Sequence, residues 1–177
     1  MKRVCIFLAV FTAFLPAAGA QGSPRSFALA AALTPRLGLL TSGSADVGLA
    51  GAGLEVDAAL LSDTWVAEAG VEAGTGSIGW QVLVPVRAGL RFGGRSVGVE
   101  ALVEAAPGIA LTRPILFMVG LGAGARVTLA LSPSWELYAS AGLRVTLCPA
   151  YTAFTGSAYD MLDAPVSLGV RWAVARP

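Results

Sequence analysis

Histidine is absent from this chain of 177 residues, lysine occurs only as Lys2, and there are two cysteines, Cys5 and Cys148. Each shortage excludes something. Without histidine, a serine or cysteine nucleophile lacks its usual base, and a metal site lacks its commonest neutral ligand. Cys5 falls in an apolar leader, so the remainder holds one cysteine and no internal disulfide. Charged residues make up 13% of the chain and the net charge is +1, which leaves neither a basic patch for nucleic acid nor an acidic tail. Long apolar runs are also missing after the leader. The longest candidate, "PILFMVGLGAGA", is cut by Arg113 before it and Arg126 after it. A transmembrane helix needs about 18 to 20 such residues, so this route across a membrane is closed.

What the chain does have is apolar character: 55% hydrophobic residues, a mean hydropathy of +0.72, and 22 glycines. These values point to a membrane rather than to a soluble domain. The N-terminus reads as an export signal. "MKR" is a positive start, "VCIFLAVFTAFL" an apolar stretch ending at Pro16, and Ala18-Gly19-Ala20 a small-residue cleavage site. The expected organisation is a signal peptide over 1–20 and a single domain over 21–177.

Alternation with period two supplies the fold class. In "WQVLVPVRAGLRF", Trp80, Val82, Val84, Val86, Ala88, Leu90 and Phe92 share one strand face, while Gln81, Leu83, Pro85, Arg87, Gly89 and Arg91 share the other. The same division recurs. Trp65 to Ala73 oppose Glu68 and Glu72; Val97 to Ala105 oppose Glu100 and Glu104; Phe117 to Leu131 oppose Arg126 and three glycines. Trp135 to Leu147 oppose Glu136 and Arg144, and Val166 to Val174 oppose Arg171. Two earlier segments fit less cleanly, Phe27 to Leu39 opposing Arg36, and Leu54 to Leu60 opposing Glu55 and Asp57, with 47–53 too rich in glycine and alanine to assign a face. This makes eight strands, and none of their charges falls on the apolar face. Pro85 removes one ladder hydrogen bond, so either a bulge or a tolerated gap is expected there.

Connections alternate as well. Tight turns at "LSD", "GGRS" and "SPS" follow the second, fourth and sixth strands. Longer links around "TSGSAD", "TGSIG", "PGIALTRP" and "PAYTAFTGSAYDMLDA" follow the others. With these features the segment 26–177 resembles the small eight-stranded outer-membrane β-barrels of the OmpA/OmpX type, a likeness of pattern rather than of a sharp motif. It implies an all-β, antiparallel up-and-down transmembrane barrel in the bacterial outer membrane, with lipid as its surroundings and barrel-assembly machinery as its partner during biogenesis. The ending "RWAVARP" departs from the terminal aromatic common in such barrels.

In such a barrel lipid takes the apolar face, so the charged face points inward. Arg36, Arg87, Arg91, Arg126, Arg144 and Arg171 would share the lumen with Glu55, Asp57, Glu68, Glu72, Glu100, Glu104 and Glu136. Eight strands leave an interior that side chains fill, so an ion-paired plug is expected rather than an open pore. Trp65, Phe92, Trp135 and Trp172 at one rim, with Trp80 and Phe117 at the other, form the expected aromatic girdle.

Three function classes compete. A structural or surface-interaction role would use the longest loop, 148–163, which holds Tyr151, Phe154, Tyr159, Asp160 and Asp163 and offers a contact for an extracellular partner. An enzyme would have to use Glu68/Glu72 or Glu100/Glu104 as an acid–base pair, but arginines stand ready to pair with these, so no enzyme activity is expected. A secreted lipocalin-like barrel with an apolar interior is the main alternative, because alternation alone does not say which face is outside. No cofactor or metal is expected.

Overall fold

The structure is a computed structural model, and it describes residues 26–40, 48–76, 79–94, 96–148 and 161–174. The expected signal peptide lies outside the described residues. Nine strand segments run in chain order: β1 (Ser26–Leu40), β2 (Gly48–Leu61), β3 (Trp65–Gly76), β4 (Gly79–Leu83), β5 (Val86–Gly93), β6 (Val97–Ala110), β7 (Leu116–Ala130), β8 (Trp135–Leu147) and β9 (Met161–Ala173). All neighbours are antiparallel, and β1 pairs with both β2 and β9, so the sheet closes on itself with no free edge.

Segments β4 and β5 are two halves of one crossing, which makes the barrel eight-stranded. Pro85 interrupts them without a bulge. On β3 the partners step from Glu72 (opposite Leu83) to Ala69 (opposite Val86), and on β6 from Gly108 to Ala105, three residues on every strand. Around the gap, Gly70 N–H donates to the Pro85 carbonyl (3.0 Å) and Val84 N–H donates to that of Pro107 (2.8 Å). Of the two outcomes expected for Pro85, the chain shows the tolerated gap: only the missing N–H is lost. A true irregularity sits instead at Arg36/Leu37, where the register of β1 on β2 shifts.

The strands are longer than the alternation suggested. β2 begins at Gly48 and β6 continues to Ala110, so "GLAGAG", to which no face was assigned, and "PGIA", read as part of a link, lie in paired strands. Glycine and alanine carry little face information, yet their backbone groups pair as well as any others. Two supposedly long connections shrink accordingly, to 77–78 and 111–115. With 12 to 15 residues in most strands, the sheet exceeds the roughly 9 to 11 that a tilted strand needs to cross the hydrocarbon.

Burial gives the orientation of the faces. Val, Leu and Phe side chains on the outer wall are open, among them Leu54, Val71, Leu90, Val127 and Leu168, while Arg36, Glu72, Glu100, Arg144 and Arg171 are sealed inside. The soluble-barrel alternative needs the reverse arrangement.

Two local expectations require correction. Trp65, assigned to the girdle, is only 9% exposed. It opens β3 directly after the turn 62–64, where Ser62 N–H donates to the Trp65 carbonyl (2.9 Å), and both Trp65 and Val66 are buried. Alternation does not hold at a turn-bound strand end. Asp163, assigned to the loop 148–163, lies within β9 and is buried, as is Cys148 at the end of the loop's first strand. The remainder of that loop, 149–160 with Tyr151, Phe154, Tyr159 and Asp160, lies outside the described residues.

Candidate functional site

The lumen is the chemically distinctive part of the molecule. Every strand contributes inward side chains at every second position, so eight strands converge their long polar side chains on one axis. All thirteen charged residues singled out in the sequence lie on this inner side.

Nearer the termini, Arg126 on β7 reaches Glu68 on β3 (2.5 and 2.9 Å) and Glu100 on β6 (3.1 Å). Arg171 on β9 donates to Glu68 (2.7 Å), Glu100 (2.9 Å) and Glu136 (3.0 Å). Arg91 closes the group at the rim through Glu136 (2.7 Å) and lies 3.8 Å from Glu100. Tyr138 on β8 lies beneath both central arginines, its ring centroid 4.5 Å from the Arg126 guanidinium carbon and 5.6 Å from that of Arg171. It faces Gly169 across the β8–β9 ladder, and only a residue without a Cβ leaves room for this ring.

Further along the axis, Arg87 on β5 joins Glu55, Asp57 (3.5 Å) and Glu104 (2.6 Å), and lies 3.9 Å from Glu68, which links it to the first group. Arg144 on β8 holds Glu104 (2.6 Å) and Glu72 (3.1 Å). Arg36 on β1 forks onto Glu72 (2.9 and 2.5 Å) and the Gln81 side chain (2.6 Å). The six arginines and seven acids are thus one connected chain of ion pairs along the barrel. Forked guanidinium contacts of this kind satisfy several carboxylate lone pairs at once, which a point-charge ammonium does not.

Two apolar packings flank the charges. Ala28, Ala59, Leu61, Val66 and Leu102 fill one side near the termini, and Leu83, Ala106, Ala110, Leu116, Met118 and Cys148 fill the side nearer the opposite rim. Most of the charged side chains are buried, so each ion relies on its partner more than it would at a surface.

The acid pairs Glu68/Glu72 and Glu100/Glu104 have every carboxylate oxygen within 4 Å of a guanidinium nitrogen. Each of these oxygens is thus engaged in an ion pair, which supports a structural role for the four acids. Among the described residues, no group of three or more His, Cys, Asp or Glu could hold a metal ion.

Sequence reasoning overlooked several lumen residues. Asp163 would have emerged by carrying the alternation of the last strand backwards, since 163, 165, 167, 169 and 171 share a face. Thr34, whose hydroxyl is 3.0 Å from that of Ser167, lies two residues before Arg36 by the same rule. On the outer wall Trp80, Phe92, Phe117, Trp135 and Trp172 are exposed as a girdle requires, and Phe27 joins them. Trp135 and Trp172 are direct cross-strand partners, with ring centroids 6.4 Å apart.

No protein-family model matches the chain, and no curated protein sequence does. Solved structures do. Ail, the attachment invasion locus protein of Yersinia pestis, is 11% identical with a TM-score of 0.55, over 86% of this chain and 100% of that one. Neisserial surface protein A is 15% identical with a TM-score of 0.54, over 82% and 96%. A transmembrane β-barrel designed de novo gives 10% and 0.51, over 86% and 98%. At these identities the likeness is one of fold alone, and the fold is that of a closed, eight-stranded transmembrane β-barrel.

Proposed function

We propose that this chain is an integral protein of the bacterial outer membrane whose lumen is plugged by its own ion pairs. In this reading it serves the envelope as a structural element, or as a platform that shows its longer connections to the outside, and it is neither an open pore nor an enzyme. One observation carries the reading: every charged side chain of the strands points inward to an ion-paired lumen, while the outer wall is apolar from rim to rim. A wall of this kind is stable in lipid and adhesive in water. The linked ion pairs, from Arg36 and Glu72 to Glu136 and Arg91, occupy the lumen along its length, which supports a plug over an open pore.

Lipid is the partner of the outer wall, assembly machinery acts during insertion, and the loop between β8 and β9 is the place for an extracellular partner. Two experiments test the reading. After an alkaline carbonate wash the protein is expected in the membrane pellet and in the detergent phase; a soluble protein in the supernatant would overturn the membrane assignment. In a planar bilayer no large steady conductance is expected, and a stable conducting state would overturn the plug.

A further inference from the structure

A proline interrupts the ladder between β8 and β9, much as Pro85 interrupts its own. The register passes Ala141 opposite Val166 and resumes at Arg144 opposite Asp163, with no slip between them. The Ala173 N–H donates to the Ser134 carbonyl (2.8 Å). Stepping by twos from that pair brings Pro165 opposite Gly142, at a position where the two residues should exchange hydrogen bonds. Proline has no N–H, so the Gly142 carbonyl loses its ladder donor.

This gap opens onto a space. Gly142 and Pro165 both line a lumenal cavity of about 50 Å³. Gly122 and Gly124 stand beside Gly142 in its wall, so the backbone there is not screened by side chains of its own. The Arg126 Nε–H, buried and without a hydrogen-bond partner, belongs to the same wall, and so does Ser140. Most of the remaining lining is apolar. The arginines at its edge are already matched in charge, Arg87 by Glu55, Asp57 and Glu104, and Arg144 by Glu104 and Glu72. The space therefore suits a neutral occupant that both gives and takes hydrogen bonds.

We propose that this cavity is a hydration site, in which ordered water gives the Gly142 carbonyl the hydrogen bond that Pro165 lacks and accepts from the Arg126 Nε–H. A water needs at least about 10 to 15 Å³ and two to four polar partners, so the space admits about three. The partners are of both kinds. Gly142 offers an acceptor, Arg126 a donor, and the Ser140 hydroxyl either. The Glu104 oxygens take the Arg87 and Arg144 Nε–H groups at 2.6 Å and keep further lone pairs. A buried carbonyl or guanidinium N–H left dry is costly, whereas a bridging water is nearly as good as a direct bond. An anion would fail at the carbonyl and at Glu104, and a cation would fail at the guanidinium.

The test is a crystal structure of the full chain, refolded in detergent, at a resolution that shows ordered water, with a second crystal held under xenon. Water is expected within hydrogen-bond distance of the Gly142 carbonyl oxygen and of Arg126 Nε. Xenon, which enters dry apolar cavities, should stay out. Pro165→Ala restores the ladder N–H, and should remove the water at Gly142 while leaving the one at Arg126. In detergent micelles, transfer of magnetisation from bound water to the Gly142 α-protons should report the same site in the parent chain. Xenon in the cavity, an ion in place of water, or a Gly142 carbonyl that is dry in the parent chain would overturn the proposal. So would a Gly142 carbonyl that stays hydrated in Pro165→Ala.

Discussion

Arg126 and Glu68 face each other across the lumen, from β7 and β3, and two guanidinium nitrogens meet the two carboxylate oxygens at 2.5 and 2.9 Å. Strands β3 and β7 are not neighbours in the sheet, so this fork ties walls that no ladder hydrogen bond connects. Glu68→Gln should destabilise the folded barrel by about 1 to 3 kcal/mol, because it removes one of the two carboxylates that hold Arg126 and one of the three that hold Arg171. The double variant Glu68→Met with Arg126→Met should cost less than the sum of the singles, with a coupling of about 1 kcal/mol or more. Urea unfolding in detergent, read from the folded and unfolded bands on a gel, measures both. Additive losses would mean that the contact carries no energy of its own.

A charge on the outer wall should be costly in a way that depends on depth. Val103→Arg, near the middle of β6, should lose about 2 to 4 kcal/mol, whereas the same change at Val97, at the start of the strand, should lose about 1 kcal/mol or less. Equilibrium unfolding from lipid vesicles checks the gradient, and equal losses at the two sites would contradict it.

Gly169 and Gly120 should respond differently to alanine. A Cβ on Gly169 would fall 2.5 Å from the Ala31 carbonyl oxygen and 2.6 Å from Cζ of Tyr138, a rigid wall and a rigid ring. At Gly120 the nearest atom is Cδ of Arg144 at 2.9 Å, on a side chain able to shift. Gly169→Ala should cost about 1 to 3 kcal/mol and Gly120→Ala clearly less, by the same unfolding assay.

Pro85→Ala should stabilise the barrel. The Gly70 N–H already donates to the carbonyl of residue 85, and in an antiparallel ladder the restored N–H of residue 85 would point to the same neighbour. A gain of about 1 kcal/mol is expected, with amide exchange at residue 85 becoming slow. An unchanged midpoint would mean that the gap costs nothing in the parent chain.

The sequence made the barrel legible because lipid and lumen act on alternate residues, so the eight charge-bearing faces show at once in stretches such as Trp80 to Phe92. What it did not show follows from the same rule. Gly48 to Gly53 have backbone pairing without side-chain alternation, so the length of β2 was hidden. Trp65 sits where a turn, not the strand, sets the side-chain direction. The choice of partner across the lumen, Arg126 for Glu68 and Arg36 for Glu72, depends on the stagger and tilt of strands far apart in sequence. Each strand read alone lacks that information.

The account rests on the apolar face of the strands meeting lipid while the charged face meets only itself. A nitroxide scan along β6 tests this most directly, with single cysteines placed from Val97 to Ala105 in a Cys148→Ser background and the protein held in vesicles. Val97, Val99, Ala101, Val103 and Ala105 should be relaxed by dissolved oxygen, which concentrates in the bilayer, and shielded from a water-soluble nickel complex. Gly98 and Leu102, between them, should be shielded from oxygen. Nickel access at the odd positions, with oxygen access at the even ones, would place the charges against the lipid and contradict the account.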